Sequence, residues 1–190
     1  MRSAYGGEAS GISEYRATIV VDVANVMGSR PDGWWKDRAG AAVRLYAGLV
    51  RLAADGGPAL PDDTGPPDDS VPRGDTVPRG DSVPRGDSVP RGDGGPPDGG
   101  GPEFVMVLEG AAKAAADRIG ADRSSRVRVV QAAGSGDDEI VAQVRELRGP
   151  EGSRDRVIVV TADRELRRRC VAAGATILGP SWLRGLLDRE

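Results

Sequence analysis

Residues 18–26, which read Thr-Ile-Val-Val-Asp-Val-Ala-Asn-Val, decide the fold class of this 190-residue chain. The β-branched run before Asp22 is typical of a strand that is buried on both faces, as strands of parallel sheets are. Ligands of open parallel sheets bind outside the carboxyl ends of the strands, so we expect Asp22 at a site edge or one step inside it. An ionised carboxylate in such apolar surroundings costs free energy unless a cation or hydrogen-bond donors compensate it.

Four more short apolar runs follow this strand, and helical patterns separate them. We predict strands at residues 17–23, 104–108, 126–130, 157–160 and 175–178. We predict a loop at 27–36 and helices after Asp37, over 111–119, from about 137 through 147, over 163–173 and from Pro180 onwards. The strict alternation predicts a single α/β domain with a mainly parallel five-stranded sheet flanked by helices. The arginines that begin the third strand place it near a sheet edge.

Residues 56–102 interrupt this pattern with a Pro/Gly/Asp-rich segment. It contains four copies of one hexapeptide, at Ser70–Asp75, Thr76–Asp81, Ser82–Asp87 and Ser88–Asp93. Each copy has one apolar side chain besides proline, which is too little burial to offset the entropy of ordering. We therefore predict a disordered insertion, and weigh a parallel β-helix as the less favoured alternative. The domain then comprises residues 16–55 and 103–190, preceded by a flexible arm at 1–15.

The composition excludes several kinds of site. The chain has 26 Lys+Arg and 29 Asp+Glu, and because residues 56–102 hold nine Asp and four Arg, the remainder has 22 basic and 20 acidic residues, a net charge of +2. That balance permits a polyanionic substrate. The absence of His and the single Cys170 exclude His catalysis, His metal ligation, internal disulfides and cysteine zinc sites. With no secretory or membrane-spanning segment apparent, we expect a soluble, cytoplasmic protein without a membrane partner.

Acidic residues recur where predicted strands end and helices begin. They are Asp22, Asp137, Asp138 and Asp163, with Glu109 as a further candidate. Parallel strand ends share one sheet edge, and carboxylates without His or Cys suit Mg²⁺ or Mn²⁺. Such a cluster can activate water for an in-line displacement at phosphorus. The alternative is that the acids at helix starts only cap the helices or interact favourably with the helix dipole. This explanation fits Asp22 least well.

Three motifs together resemble the NYN-domain branch of the PIN-like nucleases. They are Val20-Val-Asp-Val-Ala-Asn-Val26, Gly136-Asp-Asp-Glu-Ile140 and Val159-Val-Thr-Ala-Asp-Arg-Glu-Leu-Arg167. The resemblance implies a PIN-like α/β fold and a divalent-metal-dependent ribonuclease. It implies that the metal-binding acids are Asp22, Asp137, Asp138 and Asp163, and that Asn25 shapes the site or contacts substrate. The long insertion departs from the family pattern.

Several other residues are candidates for substrate contacts. Trp34 and Trp35 follow the first strand and could stack on bases, although packing onto the domain explains them equally simply. Ser135 lies in a Gly-Ser-Gly turn before a helix that could cradle a phosphate. Arg164 and the nearby Arg167, Arg168 and Arg169 could contact backbone phosphates, or could form a solvated helix face.

These observations favour a metal-dependent ribonuclease acting on single-stranded or structured RNA, with Asp22, Asn25, Asp138 and Asp163 in the catalytic centre and Asp137 assisting. Two alternatives remain open. One is a metal-dependent nucleoside triphosphate pyrophosphohydrolase that uses the same site. The other is a non-catalytic RNA-binding module, in which the acids are only caps.

Overall fold

A computed structural model describes residues 17–31, 33–60, 101–120, 126–149 and 156–189. Its five strands are β1 (Ala17–Asp22), β2 (Glu103–Leu108), β3 (Val127–Gln131), β4 (Arg156–Val160) and β5 (Thr176–Leu178). All neighbouring pairs are parallel, in the order β3-β2-β1-β4-β5. The predicted five-stranded parallel α/β sheet is therefore confirmed, and β3 lies at an edge as its arginines indicated.

Helices connect the strands. They are α1 (Val23–Gly28), α2 (Arg38–Ala54), α3 (Ala115–Ile119), α4 (Gly136–Arg148), α5 (Arg164–Ala172) and α6 (Pro180–Leu187). Short 3-10 turns at Trp34–Lys36 and Gly110–Ala114 precede α2 and α3. Asp37 caps α2 as predicted, because its carboxylate accepts a hydrogen bond from the Gly40 N–H at 2.8 Å.

The sheet is buried on both faces, as the β-branched run in β1 indicated. Ile19 and Val21 pack with α1, α2, α3 and α6, whereas Val20 packs with α4 and α5 on the opposite face. All three β1 side chains are completely buried. Because β1 is the central strand and Asp22 is its last residue, Asp22 lies in the middle of the carboxyl edge of the sheet.

Two predicted boundaries were wrong. The loop predicted at 27–36 contains the end of α1, which covers Val23–Gly28, and a 3-10 turn at Trp34–Lys36. The chain turns into α1 at once because Asp22 caps it. The helix predicted over 111–119 is a 3-10 turn followed by the five-residue α3.

The predicted arm at 1–15 and most of the predicted insertion, residues 61–100, lie outside the described residues. The described residues on either side of that gap contact each other. A Cβ on Gly101 would lie 2.2 Å from the Gly56 carbonyl oxygen, and one on Gly57 would lie 2.3 Å from Pro102. The chain therefore leaves and re-enters the domain at one place, which fits an insertion between α2 and β2.

Within the residues that the structure describes, no helix combines the length and apolar character needed to cross a membrane.

Candidate active site

Asp22 is the buried acid of the carboxyl edge. It ends β1 and caps α1, and only 7% of its surface is exposed. Its Oδ1 accepts a hydrogen bond from the Asn25 N–H at 3.0 Å, and its Oδ2 accepts one from the Thr161 hydroxyl at 2.8 Å. Burial raises the pKa of Asp22; these hydrogen bonds oppose the rise, and the charges of Asp137 and Glu109 add to it. Asp22 is thus an acid whose charge the fold only partly compensates.

Thr161 is a site residue that the sequence analysis missed. It follows β4 directly and is completely buried. Besides donating to Asp22, its hydroxyl oxygen accepts a hydrogen bond from the Asp163 N–H at 3.1 Å. The sequence signal that could have identified Thr161 is its position between the end of a buried strand and an acid, in Val160-Thr-Ala-Asp163. Thr161 joins the ends of β1 and β4 and fixes the orientation of the Asp22 carboxylate.

Asn25 contributes a second link between these two strand ends. Its side-chain Oδ1 accepts a hydrogen bond from the Ala162 N–H at 3.1 Å. The structure places Asn25 beside Asp22, with its side-chain carbonyl oxygen supporting the loop that leads to Asp163.

Asp163 caps α5, where its Oδ1 accepts a hydrogen bond from the Leu166 N–H at 2.7 Å. The capping explanation of Asp163 is therefore correct. The same position also places its negative charge near Asp137, whose pKa it raises. Capping α5 therefore does not prevent Asp163 from acting on a neighbouring acid.

Glu109 and the start of α4 meet in a close contact. The Glu109 Oε2 accepts a hydrogen bond from the Gly136 N–H at 2.9 Å. A Cβ at Gly136 would lie only 2.6 Å from that same oxygen, so a larger residue at position 136 would displace the Glu109 carboxylate. The contact brings the acid at the end of β2 next to the acids in the first turn of α4.

Asp137 and Asp138 have different surroundings. Burial raises the pKa of Asp137, and the charges of Asp163, Glu109 and Asp138 add to the rise, while Arg169 opposes it. Asp138 is exposed and accepts a hydrogen bond from Arg169 at 2.5 Å, a pair that raises the pKa of Arg169. Asp137 is also the α4 acid whose charge acts on Asp22. The structure therefore favours Asp137 over Asp138 as a partner of Asp22, the reverse of the order expected from the sequence.

The remaining predicted substrate contacts are dispersed. Ser135 is exposed, and its side chain makes no capping hydrogen bond to α4. The Gly136 N–H, which could have bound a phosphate in this turn, donates to Glu109 instead. Trp34 packs against the core beneath Arg38, whose guanidinium carbon lies 5.3 Å from the ring centre. Trp35 is 53% exposed and stands edge-on to Trp34. Arg164 begins α5 next to Asp163 and is exposed.

We use "acid cluster" for Asp22, Glu109, Asp137 and Asp163. Its donors are oxygen atoms alone, a set that suits Mg²⁺ or Mn²⁺. In the described parts of the chain, no three acidic or cysteine side chains are already arranged to hold a metal ion. Three of the four carboxylates instead accept hydrogen bonds from backbone N–H groups. A bound cation would therefore require the carboxylates to turn towards one another.

No protein-family model matches the sequence, and no curated protein sequence matches it either. Among solved structures, the chain is similar to a point mutant of Rae1 (YacP) from Bacillus subtilis. The two are 12% identical, with a TM-score of 0.50 over 91% of this chain and 77% of that one. At this identity the likeness concerns the fold alone, and it agrees with the PIN-like α/β arrangement expected from the sequence.

Proposed function

We propose that this protein is a divalent-metal-dependent ribonuclease whose active centre is the acid cluster. The proposal rests on the position of these acids, which follow the carboxyl ends of four neighbouring strands of the parallel sheet. Burial, together with neighbouring negative charges, raises the pKa of both Asp22 and Asp137. Acids held together in this way are common at functional sites, where a cation or a reaction uses their charge. The resemblance of the three motifs to the NYN-domain nucleases supports the same function.

The donor set fits Mg²⁺ or Mn²⁺, and Asp22, Asp137 and Asp163 are the residues that would hold the ion. A bound ion would supply a water molecule activated for attack on the phosphodiester. Asp138 is assigned to pairing with Arg169 rather than to the ion.

The other residues of the site position these acids and the RNA. Thr161 and the Asn25 N–H hold the two Asp22 oxygens in one orientation. The Asn25 side chain holds the Ala162 backbone, which fixes the approach to Asp163. Arg164 and Arg168 are exposed on the helix that Asp163 caps, where their guanidinium groups can contact phosphates of the bound strand.

Cleavage of labelled RNA with and without Mn²⁺ tests this function. Wild type is expected to cut RNA only with the metal, and Asp22→Asn is expected to lose activity by at least about 100-fold while keeping its fold. Asp138→Asn is the matched control and should retain most of the activity. Metal-independent cleavage, or full activity in Asp22→Asn, would refute the proposal. A panel of nucleoside triphosphates in the same assay separates a ribonuclease from a pyrophosphohydrolase.

One observation favours a second candidate, a non-catalytic RNA-binding module. The carboxylates of Asp22, Asp163 and Glu109 already serve as caps, and no metal-holding group is assembled among the described residues. In that case RNA affinity would be the same with and without chelator, and no product would form. A gain in affinity or the appearance of product on adding Mn²⁺ would exclude this candidate.

A further inference from the structure

A pocket separate from the acid cluster lies between α1, α2 and α6. It has a volume of about 240 Å³. Four arginines line it, Arg30, Arg44, Arg51 and Arg184, together with Trp34 and one acid, Asp188. Typical small-molecule pockets have volumes of roughly 300–1,000 Å³, so this smaller pocket could enclose only part of a nucleotide and would leave the rest exposed to solvent.

The charge of the pocket is strongly positive. Four arginines and one aspartate among its described lining residues give a net charge of +3. Arg30 pairs with Asp188, which is the one acid among the described residues that line the pocket. Cationic walls around a concave surface raise the local concentration of anions. An anionic ligand is therefore the one that the pocket would take up.

Arg184 is held in place by its own contacts. Its Nη1 donates to the Ser29 carbonyl oxygen at 2.5 Å and lies 3.2 Å from the Ser29 hydroxyl. Its Nε is buried and has no hydrogen-bond partner among the described residues. With Nη1 bound to Ser29 and Nε buried, the Nη2 group of Arg184 remains to donate to a bound anion, and an already fixed guanidinium loses little entropy in doing so.

The other part of the lining is apolar. Met27, Leu45 and Leu187 contribute to it, and Trp34 adds an aromatic ring. A phosphate alone would not use this surface, whereas a flat base could lie against the apolar side chains of Met27, Leu45 and Leu187. The pocket therefore combines a site for an anion with a site for a ring.

We propose that this pocket binds a nucleoside phosphate, with the arginines on the phosphate and the apolar wall on the base. The nucleotide is either a free monophosphate or a terminal nucleotide of an RNA strand, which present the same chemistry. Helix α1 connects the pocket to Asp22, and at about 1.5 Å per residue Met27 lies about 7 Å along the helix from that acid. The site involves none of the acid-cluster carboxylates, so it does not rest on the proposed nuclease activity.

Isothermal titration of the full chain in EDTA tests this site. The probes are the four ribonucleoside 5′-monophosphates, adenosine, inorganic phosphate and a 5′-phosphorylated tetraribonucleotide. We expect at least one monophosphate or the tetranucleotide to bind, at least about tenfold more tightly than adenosine or phosphate alone. Tighter binding of the tetranucleotide identifies an RNA end as the ligand, and tighter binding of the monophosphate identifies a free nucleotide.

Variants locate the binding. Arg44→Gln should weaken nucleotide binding by about tenfold. Asp188→Asn should strengthen it, because this substitution removes the carboxylate that pairs with Arg30. Arg145→Gln, an exposed arginine of α4 on the other face of the sheet, is the matched control. Asp22→Asn should bind as wild type does, which separates this site from the proposed function. No binding of any nucleotide at millimolar concentration would overturn the proposal, as would equal losses in Arg44→Gln and Arg145→Gln with unchanged thermal unfolding.

Discussion

At the scale of single residues, the candidate site is held together by Asp22 and its partners. The sequence identified Asp22, because an acid at the end of a β-branched run is costly to bury without compensation. It did not identify Thr161, since a hydroxyl in a strand-to-helix loop is ordinary and its partner lies 139 positions away. Nor did it distinguish Asp137 from Asp138, because the two acids are adjacent in one helical turn. They differ only in their tertiary neighbours: Glu109 acts on Asp137, and Arg169 pairs with Asp138.

This difference between the two α4 acids predicts a difference in stability. Both lie in the first helical turn, so replacing either by Asn removes the same favourable interaction with the helix dipole. Asp137→Asn also removes repulsion within the acid cluster, whereas Asp138→Asn removes the pair with Arg169. In EDTA at pH 7 we expect Asp137→Asn to have the higher free energy of unfolding in urea denaturation. The opposite order would contradict the assignment of Asp137 to the cluster.

The raised pKa values also predict how pH affects metal binding. An acid whose pKa is raised in the folded state destabilises the fold when ionised, and protonation relieves this as pH falls through the folded pKa. For Asp22 and Asp137 that window lies above the ordinary value of 3.8. Protons compete with metal in the same window, so the stabilisation by Mn²⁺ should shrink as pH is lowered from neutral. Thermal unfolding across a pH series, with and without Mn²⁺, measures this; an unchanged metal effect down to pH 3.8 would exclude these acids as ligands.

At the scale of elements, the β-branched runs and the apolar stripes of the longer helices were enough to predict the strands and most of the helices. Helix α1 was missed because it has six residues, which is too short for a periodic pattern, and follows β1 without a turn. The start of α4 was located from its acids, but the cap supplied by Glu109 from the end of β2 was not foreseeable. Such a contact depends on which strands are neighbours rather than on local sequence.

The contact between Glu109 and Gly136 predicts an energetic coupling between β2 and α4. Gly136→Ala should lower the free energy of unfolding by about 1 kcal/mol, because the new methyl group displaces the Glu109 carboxylate from the Gly136 N–H. In a Glu109→Ala background the same substitution should cost much less, because the displaced group is already absent. Urea denaturation of the four proteins measures the coupling. Strict additivity would show that this contact contributes nothing to stability.

At the scale of the whole molecule, strand order positions the site. The alternation of strands and helices predicted a parallel sheet but did not specify the order β3-β2-β1-β4-β5, which depends on packing between distant segments. That order places β2 and β4 on either side of β1 and so brings Glu109 and Thr161 to Asp22. The sequence predicted Asp22, Asp137 and Asp163 together with Asp138 and offered Glu109 only as a further candidate, because the neighbours of each acid depend on this strand order.

The junction of the insertion predicts that the domain folds without it. Gly56 and Gly57 meet Gly101 and Pro102, so a short connection can replace the residues between them. Replacing 61–100 with a Gly/Ser linker of about six residues should leave cooperative unfolding and the midpoint nearly unchanged. Circular dichroism during thermal unfolding checks this. Loss of cooperativity would show that residues 61–100 contribute to the fold.

Thermal unfolding of wild type and Asp22→Asn, with and without Mn²⁺, would show whether the acid cluster binds a metal ion. Asn at position 22 can still accept a hydrogen bond from the Asn25 N–H and donate one to Thr161, so the variant should fold. A ligand that binds only the folded state raises its stability, by about 2.7 kcal/mol at 100 times its dissociation constant. We predict a rise of several degrees with Mn²⁺ in wild type and none in Asp22→Asn. An equal shift in both proteins, or none in wild type at millimolar metal, would contradict the assignment of the acid cluster as a metal site.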